Sequence, residues 1–176
     1  MNMAYYAVEL DPSTGKTLKM QLYENVKNTM DLRKQIMNGE LQCTIIKPEL
    51  ICDPFQVVIA ANKTLTSKKQ TTKSVFTEIL YNLSPSSNIS QSLSKFGVDD
   101  KSKGLLVVTL ENNDDKSDAE ISNNIFALVK GDVLDISELG CTSDIRAIRK
   151  IYKISDVEYH SVDLLDSIVS RIAIKE

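Results

Sequence analysis

The chain has 176 residues, 42% hydrophobic and 26% charged, enough for one domain with a real core and short for two. That composition favours an ordinary globular domain over a disordered chain, and the absence of Trp argues against extensive stacking on nucleic-acid bases. The net charge of -3 and a pI near 5.3 leave no global positive field, so contact with nucleic acid would need a local patch.

The N-terminal residues show no charged lead before a long apolar run, as a signal peptide would, and no apolar stretch is long enough to span a bilayer. No membrane association is expected. Cys43, Cys52 and Cys141 are odd in number and widely spaced, which points to reduced thiols and a cytoplasmic or nuclear setting.

Residues 4–10 are apolar and aromatic and suit a strand. The run Asp11-Pro12-Ser13-Thr14-Gly15 is dense in turn formers, and residues 16–23 alternate as a half-buried strand does, so the chain opens on a hairpin. Asn28 offers a cap to a helix with Met30, Arg33, Ile36 and Met37 at helical spacing, stopped by Gly39. Residues 44–51 read equally as a short strand or a single turn. Asp53-Pro54 starts a helix whose apolar positions are Phe55, Val58, Ile59 and Leu65, with Ala60 and Ala61 allowing close approach of a neighbour. Ser74 caps a helix carrying Phe76, Ile79 and Leu80, and Pro85 stops it. Asn88 and Gln91 form a variant capping box before Ile89, Leu93 and Phe96, with Gly97 at the end.

Residues 104–110 (GLLVVTL) form a nearly unbroken β-favouring run, as in a central strand covered on both faces. A polar loop at 111–116 leads to a helix over 120–129 with Ile121, Ile125 and Leu128. Residues 132–139 fit either a strand or a short helix. Ser143-Asp144 begins a helix with Ile145, Ile148, Ile151 and Tyr152 on one side, and Arg146, Arg149, Lys150 and Lys153 largely elsewhere. Ser161 caps a final helix with Leu165, Ile168, Val169 and Ile172. The sum is an α+β fold over residues 1–176: a small, mainly antiparallel sheet packed beside a cluster of about six helices.

Catalytic equipment is missing from this pattern. Gly15-Lys16-Thr17 resembles the tail of a phosphate loop, but the required Gly five positions earlier is Leu10. His160 is the only histidine and has no nucleophile motif, and the cysteines provide no zinc pair. Glu78 and Glu120 could form an acid/base pair only if the fold united them. No catalytic residue, metal or cofactor is expected. Two features invite contact instead. Lys63, Lys68, Lys69 and Lys73 form a basic cluster, read either as charges at a helix's negative end or as phosphate contacts. The corner Asn82-Leu83-Ser84-Pro85, with Ile89 after it, combines a rigid turn with apolar tips, read either as a buried helix connection or as a partner's docking knob.

Several stretches resemble the TPRKB family, the small subunit of the KEOPS/EKC complex that binds the atypical kinase PRPK. They are Val26-Lys27-Asn28 through Asp31-Leu32-Arg33, Asp53-Pro54-Phe55-Gln56, Ala60-Ala61-Asn62-Lys63, Thr77-Glu78-Ile79, Asn82 to Pro85, Asn88-Ile89-Ser90, Lys95-Phe96-Gly97, Ile151-Tyr152-Lys153 and the region of Leu164-Leu165-Asp166. The resemblance covers nearly the whole chain, departs at 111–120 and just before 162, and is strongest over 52–98. It implies a non-catalytic subunit that clamps the N-lobe of its kinase/ATPase and supports threonylcarbamoyladenosine formation on tRNA beside the anticodon. The catalytic threonylcarbamoyl-transferase would be a separate, indirect partner. Related subunits contact the single-stranded 3′ tail of tRNA. On that basis Leu83, Pro85, Asn88 and Ile89 are expected to meet the kinase. Lys63, which falls inside a matching motif, is expected to meet tRNA, and charge reasoning adds Lys68, Lys69 and Lys73. The alternative is a kinase-binding regulator with no RNA contact.

Overall fold

A computed structural model of the chain describes residues 5–176. Strand β1 (Tyr6–Glu9) pairs antiparallel with β2 (Lys16–Glu24) across a short helical turn at Pro12–Thr14. Residue 4 of the expected first strand lies outside the described residues. Gly15 closes the turn at φ +64, a conformation in which glycine carries no Cβ penalty. Strand β3 (Thr44–Ile46) and strand β4 (Leu105–Asn112) complete the order β1-β2-β4-β3, and β5 (Asp132–Leu134) pairs with β2 beyond the end of β1. Every pairing is antiparallel.

The sheet is covered on both faces. On one, Leu18, Met20, Leu22, Ile46, Leu106 and Val108 meet the helices α2 (Pro54–Thr66), α3 (Val75–Leu83), α4 (Ile89–Phe96), α6 (Leu139–Thr142), α7 (Ile145–Tyr152) and α9 (Leu164–Ile174). On the other, Tyr23, Ile45, Leu105 and Val107 meet α1 (Thr29–Met37) and α5 (Ser117–Leu128). The continuous apolar run of β4 follows from this double burial. So does a correction: β2 is not half-buried. Lys19 and Gln21, its polar positions, lie beneath the second layer. Burial alone would lower the Lys19 pKa, but a 2.8 Å ion pair to Glu111 and the neighbouring Tyr5 outweigh it and hold the ammonium above its ordinary value. Gln21 accepts a hydrogen bond from the Tyr23 hydroxyl.

Residues 44–51 use both of their options, with β3 followed by a helical turn at Pro48–Leu50. The outer edge of β3 is partly closed by the exit of α4: Ile46 bridges Gly97, and the Lys47 amide donates to the Phe96 carbonyl at 2.8 Å. Glycine suits the exit from α4, because a Cβ on residue 97 would lie 2.6 Å from the Leu93 carbonyl oxygen of that helix's last turn.

Helix faces depart further from expectation. Met30 and Met37 are exposed; α1 is held by Leu32 and by Thr29, whose hydroxyl donates to the Ser102 carbonyl at 2.7 Å. Asn28 does not cap α1 with its side chain, which instead bonds Leu128 and Lys130 across the loop. Phe55 and Ile121 also face outward, while Gln56, Val57, Ala60 and Ala61 fill the seam between α2 and its neighbours. Ser161 ends an additional helix, α8 (Asp156–Ser161), and Asp163 caps α9 by accepting from the Leu165 amide at 3.0 Å. Arg171 of α9 clasps Glu158 of α8 through two 2.6 Å bonds.

That clasp holds the Glu158 carboxyl down to about 2, chiefly through its hydrogen bonds to Arg171. A carboxyl lowered on folding stabilises the native state above its unfolded pKa, near 4.5, and the contribution is lost as pH falls toward about 2. Acid unfolding followed by circular dichroism is expected to be shallower over that window in Glu158→Gln than in the native chain.

Candidate partner-binding corner and lysine loop

Helix α3 ends where its free carbonyls would otherwise be stranded in the interior. Three at this end are met from behind, those of Tyr81, Leu83 and Ser84. The Leu83 carbonyl accepts from the Tyr152 hydroxyl at 2.5 Å, and that hydroxyl in turn accepts from Gln56 Nε2 at 3.1 Å. The Tyr81 and Ser84 carbonyls accept from the Lys175 ammonium, which also lies 3.4 Å from the centre of the Tyr81 ring. Asn82 Nδ2 donates to Thr64 Oγ1 at 2.9 Å.

Beyond Leu83 the chain surfaces. Pro85, Ser87, Asn88 and Ile89 are exposed, whereas Leu83 is fully buried. Leu83 therefore belongs to the core and seats the corner; its apolar side chain is not part of the outer face. The apex is fixed by a relay of small polar groups. Ser84 Oγ accepts from the Ser86 amide, Ser86 Oγ accepts from the Asn88 amide, and Asn88 Oδ1 accepts from the Gln91 amide at 2.9 Å. The Ser92 hydroxyl donates back to the Asn88 carbonyl at 2.8 Å. Pro85 and Ile89 are thus presented on a backbone already ordered, which lowers the entropy lost on docking. Beside the corner lies a cleft of about 710 Å³ whose walls include Pro85, Gln91, Lys95, Ile151, Lys153 and Ile174.

The four candidate lysines separate into two groups. Lys63 is partly buried on α2, and its ammonium donates to the carbonyls of Ile172, at 2.7 Å, and Lys175 at the end of α9. It caps that helix, as cations do at a negative helix end, and burial lowers its pKa. Lys68, Lys69 and Lys73 are exposed on the loop between α2 and α3. Beneath them, buried Glu78 accepts from the amides of Thr71, at 3.0 and 3.1 Å, and Thr72, at 2.7 Å, and from the Thr72 hydroxyl. The corner and the lysine loop sit at opposite ends of the 9-residue α3, about 13 Å apart along its axis.

Glu78 and Glu120 do not meet: α3 packs on one face of the sheet and α5 on the other. His160 is exposed, with its ring against Tyr159. Burial pushes the Cys43 thiol up to about 12 and the Cys52 thiol up to about 11. Among the described residues no three His, Cys, Asp or Glu side chains converge as a metal site, and no helix is long and apolar enough to cross a membrane. Sequence reasoning missed Tyr152 and Lys175 as supports of the corner, because their partners are 69 to 94 residues away. For Glu78 the sequence offers a prospective acid/base pair with Glu120 and a place in the matching stretch Thr77-Glu78-Ile79, but not its role beneath the lysine loop.

The family model described as kinase binding protein CGI-121 matches residues 23–176. The chain belongs to this family. Over 175 residues it is 33% identical to the EKC/KEOPS complex subunit TPRKB of Danio rerio, covering 98% of each chain. It is 26% identical over 166 residues to the EKC/KEOPS complex subunit cgi121 of Aspergillus fumigatus, covering 88% of this chain and 87% of that one. The subunit CGI121 of Candida glabrata is 24% identical over 159 residues. The sequence-level resemblance and the match to this kinase-binding family therefore agree.

Burial lowers the Lys175 pKa to about 8, with Lys63 adding repulsion. The unfolded chain then holds this proton more tightly than the native one, so stability rises with pH from about 8 toward the ordinary lysine value of 10.5. Urea unfolding across that range should show the rise in the native chain and a flatter profile in Lys175→Met.

Proposed function

We propose that this chain is a non-catalytic subunit of a KEOPS-like complex that docks on the complex's atypical kinase/ATPase through the corner formed by Pro85, Asn88 and Ile89. The supporting observation is the corner itself. Two apolar tips project from a turn whose backbone is already held by Tyr152, Lys175 and the serine relay, in a chain of a kinase-binding family. A preformed apolar knob is the kind of surface on which a few anchors supply most of the affinity. The relatives' names place them in EKC/KEOPS complexes. By that kinship the subunit supports threonylcarbamoyladenosine formation on tRNA beside the anticodon, in cytoplasm and nucleus, with the transferase chemistry performed by another chain. The tRNA 3′ tail is assigned to the loop of Lys68, Lys69 and Lys73. Lys63 is left out of that assignment because carbonyls already occupy its ammonium.

Co-purification with a PRPK-like kinase tests the docking surface. Pro85→Glu and Ile89→Glu are expected to weaken association at least about tenfold while leaving the fold intact. Leu83→Ala is expected instead to lower stability by about 2–5 kcal/mol, through the cavity it leaves. Full association by both charged variants would remove the corner from the interface.

A regulator that binds the kinase without touching RNA is the second reading, favoured by the net charge of -3 and by the capture of Lys63. The salt dependence of tRNA binding separates the two. If Lys68 and Lys69 contact phosphates, reversing both to Glu reduces the slope of log affinity against log salt by about two. An unchanged slope supports the regulator.

A further inference from the structure

The loop that carries the lysines also carries a hydroxyl with nothing to do. Thr72 Oγ1 is bound to Glu78, Ser74 and Thr77, and Ser67 Oγ donates to the Lys69 carbonyl at 3.0 Å. Ser74 Oγ is engaged in the cap of α3. Thr71 differs: it is exposed, and its Oγ1 has no hydrogen-bond partner among the described residues. Two and three residues before it stand Lys69 and Lys68, both exposed, and residues 69–71 run without helix or turn. A free hydroxyl on an irregular segment behind two lysines fits the acidic substrate groove of a basic-directed protein kinase, since such enzymes select partners by charge pattern.

We propose that Thr71 is a phosphorylation site, and that its modification unlatches the lysine loop from Glu78. In the transfer, Thr71 Oγ1 attacks the γ-phosphorus of a nucleoside triphosphate. The Oγ1–P bond forms as the bond to the β,γ-bridging oxygen breaks, the nucleoside diphosphate leaves, and the hydroxyl proton passes to the kinase's base. The product places about two negative charges on a residue whose own amide is held by both oxygens of the Glu78 carboxylate. A phosphate on the residue whose amide Glu78 holds repels that carboxylate, and Lys68, Lys69 and Lys73 offer the phosphate new partners. The loop therefore exchanges an inward latch for an outward one, and the lysines are partly neutralised. The consequence for RNA rests on the reading above; the modification and the unlatching do not.

The full chain is incubated with ATP and the catalytic subunit of cAMP-dependent protein kinase, and the phosphate is mapped by peptide mass spectrometry. Incorporation at Thr71 is expected, absent in Thr71→Ala and falling about tenfold in the double variant Lys68→Ala/Lys69→Ala. Absence of phosphate, or its placement on Thr72 or Ser74, overturns the site. Hydrogen exchange of the Thr71 and Thr72 amides then reads the latch, with Glu78→Gln as the reference for a weakened one. Faster exchange in the phosphorylated chain is expected; unchanged protection overturns the unlatching. Neither measurement contains RNA, so a failure of the Lys68/Lys69 salt-slope test leaves both standing.

Discussion

The hydroxyl of Tyr152 is the contact on which the exposed end of this molecule rests. It donates to the last carbonyl of α3 and accepts from Gln56, whose other bonds reach the Leu50 carbonyl and the Cys52 amide. One buried node therefore ties α7, the start of α2 and the end of α3. Phe96 of α4 packs edge-on against the same tyrosine ring at 5.9 Å. A buried carbonyl left unpaired costs about 1–3 kcal/mol, so the node must form as a unit for α3 to stop where it does. The direction in which Pro85 and Ile89 project follows from that stop.

Burial of the sheet on both faces imposes the second constraint. In a strand covered twice, polar side chains are mostly kept where they find a partner inside, although the buried Thr109 hydroxyl of β4 has none among the described residues. Lys19 finds one in Glu111, and Gln21 in Tyr23. The two helical layers consequently differ in character. The larger layer meets the sheet through apolar side chains and keeps its buried polar groups, such as Gln56 and Glu78, between its own helices, whereas the side facing α5 retains a polar seam around Lys19, Gln21 and Glu111 on the sheet itself.

Local chemistry carried much of this into the sequence. Asp53, Ser74, Asn88 and Asp144 cap helices as their positions imply, and the run at 104–110 reads as a strand buried from both sides. What local chemistry could not convey is which arc of a helix meets the core. Met30, Met37, Phe55 and Ile121 satisfy helical spacing yet face outward, because a neighbouring element fixes each helix's rotation. The same holds at the candidate site. Lys63 and Lys68 look alike as letters, but the end of α9 folds back over the first and leaves the second free in solvent. Leu83 and Ile89 are likewise both apolar members of one corner, and only the path of the backbone separates the seat from the tip.

The bridge between Ile46 and Gly97 has a consequence for molecules in company. An edge strand with idle amides and carbonyls is a template onto which another chain's strand can add, and such growth leads to fibrils. Here the stretch leaving α4 occupies part of the margin of β3, and glycine at position 97 lets the chain leave the helix without pressing a side chain into the Leu93 carbonyl. The molecule thereby acts as its own stopper on that flank, discouraging self-templated stacking.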